Sequence, residues 1–263
     1  MSGKVAIVTG ATGGIGRGVA LRLAVDGMTV VVNGRDESRA GPVLAEIADL
    51  GGTAQFVAGD VRSRSDMDAV VAAAVDRFGG VDVVVPSAGG DDDAARSTDV
   101  RGPFGDIDLA QVTAFVAQAV ASKLNVVQAA VPAMRERGGG SVVFVTSEGG
   151  RTPTPGQTAI AAFSGGLIMA SKVLSTELAR DQIRVNCVCV TVVRDSPSWT
   201  AAFENEGAVG DRHRRQYEKI IERSPLGVAS PTDIGDVVAF LASDRSHYLT
   251  GLVASPTGGL TIH

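Results

Sequence analysis

The sequence predicts one α/β domain, in which a doubly wound, mostly parallel sheet of about seven strands carries helices on both faces. Short β-branched runs alternate with longer amphipathic stretches along the chain, which is typical of βαβ units. Runs such as VDVVV are apolar almost throughout, as strands are when helices cover a sheet on both sides. The length of 263 residues fits a single domain, 1–263, with one large core.

The predicted elements follow one another in the order that βαβ units require. Strands and helical stretches alternate as VAIVTG and 14–26, TVVVNG and 36–50, AQFVAGD and 65–78, VDVVVP and a long helical region to about residue 137, SVVFVTS and a helix near 157–180, then IRVNCVCV. Ser65-Asp-Met-Asp68 and Ser230-Pro-Thr-Asp233 resemble helix N-termini, with a serine cap and a carboxylate three residues later. We expect Leu252–Leu260 to close the sheet.

Composition excludes several classes of function. The formal net charge of −5 gives no basic footprint for nucleic acid. No apolar run in the sequence reaches the length of a membrane span, and the start lacks a cleavage-like signal, so we expect a cytoplasmic protein without a membrane or nucleic-acid partner. Cys187 and Cys189 lie two apart on one predicted strand, which favours buried reduced thiols over a metal site or a disulfide.

Three glycines follow the first predicted strand. Gly10, Gly14 and Gly16 lie between VAIVT and a helix. Glycine in such a turn lets backbone N–H groups and the helix N-terminus approach a pyrophosphate. The placement inside the first βαβ unit therefore predicts a dinucleotide site.

The end of the second predicted strand indicates which dinucleotide binds. An acidic residue there would accept hydrogen bonds from the ribose 2′-hydroxyl and repel a 2′-phosphate. This chain has Asn33-Gly-Arg-Asp36, with Gly34 where the acid would be and Arg35 able to pair with phosphate. NADP(H) is therefore favoured over NAD(H), although Asp36 is either the missing acid or a helix cap.

Motifs along the whole chain resemble the short-chain dehydrogenase/reductase family. The matching segments are Gly10 to Gly16 after VAIVT, Gly59-Asp-Val61, Ala88-Gly89, Ile183-Arg-Val-Asn186 and the C-terminal section from PLGVASPTD onward. The resemblance implies a single Rossmann-type domain, a nicotinamide cofactor, a small-molecule substrate, and a homodimer or homotetramer. It also implies hydride exchange between the cofactor and a carbonyl or alcohol.

Positions carried over from the family complete the expected cofactor site. Asn33 and Arg35 are expected to belong to this site as well. The resemblance adds the residues that would surround the pyrophosphate, the adenine and the ribose of the cofactor: Gly10, Thr12, Gly13, Gly14, Ile15, Gly16, Asp60, Val61, Ala88 and Gly89.

The catalytic half of the family pattern is mostly missing. The resemblance implies a serine that orients the carbonyl, and Ser147 stands at that position. The tyrosine that donates the proton is replaced by Ile160, and the lysine four residues later by Ser164. The asparagine that anchors a water chain falls on Ala119. The usual proton-transfer machinery is therefore absent.

Two residues are candidates to replace it. Glu148 follows Ser147 at the carboxyl end of a strand and is either a surrogate acid or, the favoured interpretation, a solvated rim carboxylate. Lys123 lies one turn after Ala119 and either reaches toward the vacant position or, as we favour, faces a partner subunit. The irregular segment 196–226 is a lid over the site or an ordinary surface excursion.

Three functions remain open at this point. The first and favoured one is an NADP(H)-dependent ketoreductase or alcohol dehydrogenase for a cyclic or polyketide-like carbonyl, in which water, Ser147, Glu148 or the substrate's own hydroxyl supplies the proton. The second is a non-redox isomerase, cyclase or dehydratase on the same scaffold. The third is a nucleotide-binding pseudoenzyme.

Overall fold

A computed structural model describes residues 1–89, 99–203 and 211–262 and shows one sheet of seven strands. The strand order is β3-β2-β1-β4-β5-β6-β7, and every neighbouring pair is parallel. The strands are β1 Val5–Thr9, β2 Thr29–Gly34, β3 Thr53–Ala58, β4 Val83–Pro86, β5 Gly140–Ser147, β6 Ile183–Val190 and β7 Val253–Ala254. The predicted doubly wound sheet is confirmed.

Helices cover both faces of the sheet. Their bounds are α1 Gly14–Val25, α2 Gly41–Asp49, α3 Arg64–Phe78, α4 Leu109–Glu136, α5 Thr158–Glu177, α6 Pro197–Phe203, α7 Asp211–Glu222 and α8 Pro231–Ala242. One core lies between the sheet and α3, α4 and α5, and the other between the sheet and α1, α2 and α8. Burial on both faces explains why the strands are apolar at nearly every position.

Two helices are long and apolar enough to cross a membrane by length and composition, namely Leu109–Glu136 and the continuous helical stretch Thr158–Asp181. The expectation that no segment reaches that length is therefore wrong. Both helices pack against the sheet through side chains such as Val126 and Leu167, which are fully buried. Burial in the core accounts for their apolar character, and a cytoplasmic location stays a prediction.

The strand order places a crevice at the carboxyl ends of β1 and β4. The chain winds outward from β1 to β3 on one side and from β4 to β7 on the other, so consecutive loops diverge between these two strands. Ligands of open parallel sheets bind at such a switch point. The glycine loop after β1 and the Ala88 segment after β4 both lie there.

The positions of α1 and α8 are coupled by two glycines. A Cβ on Gly18 would overlap the backbone of Pro231, and one on Gly235 would lie 2.7 Å from the Gly18 carbonyl oxygen. The helices touch through their backbones, so the N-terminus of α1 that faces the crevice is held by α8.

Capping agrees with the sequence at one helix and differs at another. Ser230 and Asp233 form a complete capping box at the start of α8, as predicted. The cap of α3 is Ser63 rather than the predicted Ser65: the Ser63 hydroxyl accepts from the Asp66 N–H, and the Asp66 carboxylate accepts from the Asp60 N–H. The helix begins earlier because Asp66 also holds the loop after β3.

We expect Ser230→Ala to lower the free energy of unfolding by about 1 kcal/mol, since an N-cap hydroxyl satisfies an otherwise orphaned N–H. The hydrogen bonds from Ser230 lower the pKa of Asp233, so the carboxylate contributes stability above its unfolded pKa and loses it as pH falls. Thermal melts at neutral and acidic pH measure both effects. An unchanged melting temperature at neutral pH would contradict the role of the cap.

The two cysteines confirm the prediction of buried thiols. Cys187 and Cys189 are free, fully buried and 3.9 Å apart at sulfur on one face of β6. The hydrogen bond between them, and then burial, raises the pKa of the Cys189 thiol, which keeps it protonated and inert.

Candidate active site

A single cavity of about 1320 Å³ runs from the glycine loop to Ser147. Ligand pockets are typically about 300–1,000 Å³, so this cavity has room for a dinucleotide and a second molecule. Nearly all of the predicted site residues line it together: Gly10, Thr12, Gly13, Ile15, Gly16, Asn33, Arg35, Asp60, Val61, Ala88, Gly89, Ser147 and Glu148. Gly14 is the exception, because its α-carbon faces Pro197 instead.

The glycine loop has a geometry that other residues would not adopt. Gly10 and Gly14 have φ of +67° and +49°, in the left-handed region that favours glycine. A Cβ on Gly16 would overlap the carbonyl oxygen of Gly10. The loop therefore folds tightly onto the first turn of α1, and residues of both line the cavity, where a helix N-terminus suits a pyrophosphate.

Buried polar side chains join the loops around this end of the cavity. The Thr9 hydroxyl accepts from the N–H groups of Ser87 and Ala88 at 3.1 and 3.2 Å. Asn33 donates to the carbonyls of Val57 and Gly59, and its buried Oδ1 has no hydrogen-bond partner among the described residues. The amide therefore ties the end of β2 to the end of β3 beneath the cavity.

The segment after β2 presents two guanidinium groups. Arg35 and Arg39 are exposed and line the cavity, and Arg39 Nη2 lies 3.7 Å from where a Cβ on Gly13 would be. Asp36 caps the turn that follows, accepting from the N–H and hydroxyl of Ser38, and these bonds lower its pKa. The helix-cap interpretation of Asp36 is confirmed.

Arg39 was missed by the sequence analysis. It lies four residues after Arg35, and the one-turn helix Glu37–Arg39 carries it back toward Gly13. A second arginine one turn beyond the first was the available signal.

Asp60 and Val61 occupy the wall that the resemblance assigns to adenine. The Asp60 carboxylate pairs with Arg62, and this contact lowers the pKa of Asp60. The carbonyl of Val61 accepts from the Asn125 amide at 2.9 Å. Both residues are thus held by the chain before any ligand binds.

Ser147 lies at the other end of the cavity, where β5 stops. Its Oγ accepts from the Gly149 N–H at 3.1 Å, so the hydroxyl hydrogen is available to donate to a carbonyl. Ile160 is 5% exposed and lines the cavity next to Gly149. At the position that the resemblance assigns to the tyrosine, the cavity wall is an apolar side chain.

Ser164 is fully buried, and its Oγ has no hydrogen-bond partner among the described residues. A Cβ on Gly150 would lie 2.7 to 2.8 Å from the backbone and Cβ of Ser164, so the turn after β5 rests directly on α5.

Glu148 is buried rather than solvated. Its side chain is 4% exposed, and three hydroxyls donate to its oxygens: Ser255 at 2.6 Å, Thr152 at 3.0 Å and Thr261 at 3.2 Å. Arg151 in turn donates to Ser255. The rim interpretation is wrong because the C-terminal segment folds back over this carboxylate.

Lys123 is buried in the cavity wall rather than facing outward. It is 3% exposed, and its Nζ donates to the carbonyls of Pro86 and Ala88 at 3.0 and 2.9 Å. The preferred interpretation, a lysine at a subunit interface, is wrong. The ammonium instead holds the segment after β4 and gives the cavity a positive charge.

The predicted lid 196–226 lies beside the cavity as two helices, α6 and α7, and residues 204–210 between them are outside the described part of the chain. Gln216 on α7 accepts from the Gln157 amide at 3.0 Å and donates to the Pro155 carbonyl at 3.2 Å. Trp199 packs on Phe203 with ring centroids 4.6 Å apart. Residues of both helices line the cavity, and the role of the segment as a lid stays a prediction.

Comparison with known proteins gives the relatives of this chain. The sequence profile of a family described as enoyl-(acyl carrier protein) reductase matches residues 10–261. The chain is 33% identical over 263 residues to the 3-oxoacyl-(acyl-carrier-protein) reductase FabG of Thermotoga maritima, covering 100% of this chain and 99% of that protein. It is 31% identical over 263 residues to the 7alpha-hydroxysteroid dehydrogenase of Clostridium sardiniense, covering 100% and 95%.

Solved structures agree over the same length. A 7 alpha-hydroxysteroid dehydrogenase complexed with NADH and 7-oxo glycochenodeoxycholic acid superposes with a TM-score of 0.85 at 26% identity, covering 98% of this chain and 94% of that one. A short-chain type dehydrogenase/reductase from Mycobacterium marinum gives 0.85 at 27% identity, covering 100% and 97%. With its cavity at the switch point, its glycine loop and these relatives, the chain belongs to the short-chain dehydrogenase/reductase family, whose members bind a nicotinamide cofactor.

Proposed function

We propose that this protein is an NADP(H)-dependent oxidoreductase, a ketoreductase or alcohol dehydrogenase, that acts on a cyclic or polyketide-like carbonyl with an atypical source of the proton. The observation that carries the proposal is the single cavity that joins the glycine loop to Ser147. One molecule bound on the glycine loop and a second beside Ser147 would share one cavity, as hydride transfer between them requires.

The cofactor end of the cavity fits a phosphorylated dinucleotide. The glycine loop would hold the pyrophosphate, Asp60 and Val61 the adenine, and Arg35 with Arg39 a 2′-phosphate. When bound, the nicotinamide supplies or accepts the hydride. Lys123, which donates to the carbonyls of Pro86 and Ala88, would hold the loop that the resemblance assigns to the ribose.

Ser147 is proposed to orient the carbonyl. Because its Oγ already accepts from Gly149, its hydrogen points away from the turn and donates to the substrate oxygen. A donor fixed before the reaction stabilises the oxyanion that forms as hydride arrives. No reorganisation of the chain is then needed at that step.

The proton must come from a group other than residue 160. Ile160 carries no proton to give, and the Ser164 hydroxyl is fully buried. Glu148 lines the cavity, but both of its oxygens accept hydrogen bonds from hydroxyls that hold the C-terminal segment. We therefore favour a hydroxyl of the substrate itself as the immediate donor; water then returns a proton to that hydroxyl, so the reaction as a whole takes one proton from solvent. Glu148 as a surrogate acid is the competing assignment.

The test is NADPH oxidation, followed by absorbance, with a panel of cyclic and aromatic ketones with and without a hydroxyl next to the carbonyl. Ser147→Ala is expected to lower kcat by about 10²–10³, the effect of removing one oxyanion donor. Glu148→Gln is expected to keep its turnover, while methylation of the substrate hydroxyl abolishes it. A melting curve shows that each variant is folded.

Two results would contradict parts of this proposal. Loss of turnover in a folded Glu148→Gln would make Glu148 the acid. Consumption of a substrate without net change in NADPH would favour the non-redox isomerase, cyclase or dehydratase, a function that the replacement of three family residues by Ala119, Ile160 and Ser164 also supports. We also propose that the protein is a homodimer or homotetramer, which light scattering would measure.

A further inference from the structure

Three cations follow one side of helix α7 and the residue after it. Arg215, Lys219 and Arg223 are four residues apart. Arg223 directly follows the helix, and its N–H still donates to the Lys219 carbonyl at 3.2 Å, so it continues the row. All three are exposed to solvent and line the cavity. The lid helix therefore presents a row of positive charge to the space beneath it.

This charge is not neutralised by the described part of the chain. None of the ion pairs among the described residues involves Arg215, Lys219 or Arg223. Three described carboxylates line the cavity, and each is bound elsewhere: Asp36 to Ser38, Asp60 to Arg62, and Glu148 to three hydroxyls. The row is free to attract an anion.

The row lies at the substrate end rather than the cofactor end. Gln216, next to Arg215, is hydrogen-bonded to Gln157 at 3.0 Å, and Gln157 precedes Ile160 by one helical turn. The cations of the cofactor end, Arg35 and Arg39, follow β2, with Arg39 over Gly13. We therefore assign the two cationic sets to two different ligands.

The wall near Ser147 is apolar. Ile160, Phe115 and Phe163 all line the cavity, and the two phenylalanine rings meet edge to face with centroids 5.6 Å apart. Such a wall binds a ring or chain that has no charge of its own. The cavity is therefore apolar around the reacting position and positive under the lid.

We propose that the substrate has an apolar ring or chain at one end and an anionic group, a carboxylate or a phosphate, at the other, and that Arg215, Lys219 and Arg223 bind the anion. This inference rests on the proposed function for the identity of the reaction but not for the binding. The apolar part lies against Phe115, Ile160 and Phe163, with its carbonyl at Ser147, and the anion is held under α7.

Isothermal titration with three probes tests this without any turnover: naphthalene-2-carboxylate, its methyl ester and 2-naphthyl phosphate, each with and without saturating NADPH. We expect at least one anion to bind about tenfold more tightly than the ester, since several exposed ion pairs add together. The anion that binds more tightly identifies the group. Added salt should weaken the binding of the anions and leave the affinity for the ester unchanged.

The variant Arg215→Gln, Lys219→Gln, Arg223→Gln should lose that preference and keep its affinity for NADPH. A matched control, Arg77→Gln, Lys172→Gln, Arg180→Gln, removes the same charge from exposed residues outside the cavity and should behave as wild type. The inference is wrong if the ester binds as tightly as both anions, or if the two triple variants lose the preference for the anion equally. It is also wrong if the first triple variant keeps that preference and loses affinity for NADPH instead. If the anion binds but no ketone oxidises NADPH, the anion-binding inference stands and the proposed reductase function is wrong.

Discussion

Replacing both Arg35 and Arg39 by alanine should weaken NADPH binding by about 10–100-fold, because a hydrogen bond to a charged group contributes about 1.5–3 kcal/mol and 1.4 kcal/mol is tenfold. NADH binding should stay within about twofold, since it has no 2′-phosphate to pair with them. Both guanidinium groups face the cavity beside Gly13 and Gly34. Fluorescence titration of the two reduced cofactors measures the change.

The single variants separate the two arginines. Arg35 follows β2 directly and was predicted from the sequence, whereas Arg39 is brought to Gly13 by the turn after it. We expect each single variant to bind NADPH more weakly than the wild type but more tightly than the double variant. Arg77→Ala, outside the cavity, should bind NADPH as the wild type does. Equal affinity of the wild type for NADPH and NADH, or no loss in the double variant, would overturn the preference for NADP(H).

Gly16→Ala should abolish nucleotide binding and destabilise the fold. The added Cβ would overlap the Gly10 carbonyl oxygen, which is backbone and cannot rotate away. Overpacking of this kind costs about 1–3 kcal/mol, and relief of the clash requires the loop to move away from α1. The melting temperature without nucleotide and the affinity for NADPH measure the two consequences separately.

Gly13→Ala is the matched control in the same loop. Its backbone is extended, with φ of −172°, and an added Cβ would meet nothing closer than Arg39 at 3.7 Å. We expect its free energy of unfolding to lie within about 1 kcal/mol of the wild-type value, because the substitution creates no clash and removes no contact. If both variants melted alike, the tight packing of Gly16 on Gly10 would not be the cause of the requirement for glycine.

Most of the fold could be predicted because its signals are local. Continuous apolar strands, glycines at the turn after β1, and Ser230-Pro-Thr-Asp233 at the start of α8 each describe a few adjacent residues. The cap of α3 was misplaced because Ser63 is selected over Ser65 by Asp66, whose carboxylate also binds the loop at Asp60. A contact outside the helix decided that boundary.

The sequence by itself determined the doubly wound sheet and the glycine loop, and it predicts the loss of the family's tyrosine and lysine, since each depends on residue type at a counted position. Only the tertiary structure decided the surroundings of Glu148 and Lys123. The partner Ser255 is 107 positions from Glu148, and Ala88 is 35 from Lys123. Whether a charged side chain is solvated or buried depends on which distant segment covers it, and that is settled when the C-terminal segment and the loop after β4 fold onto the carboxyl ends of the strands.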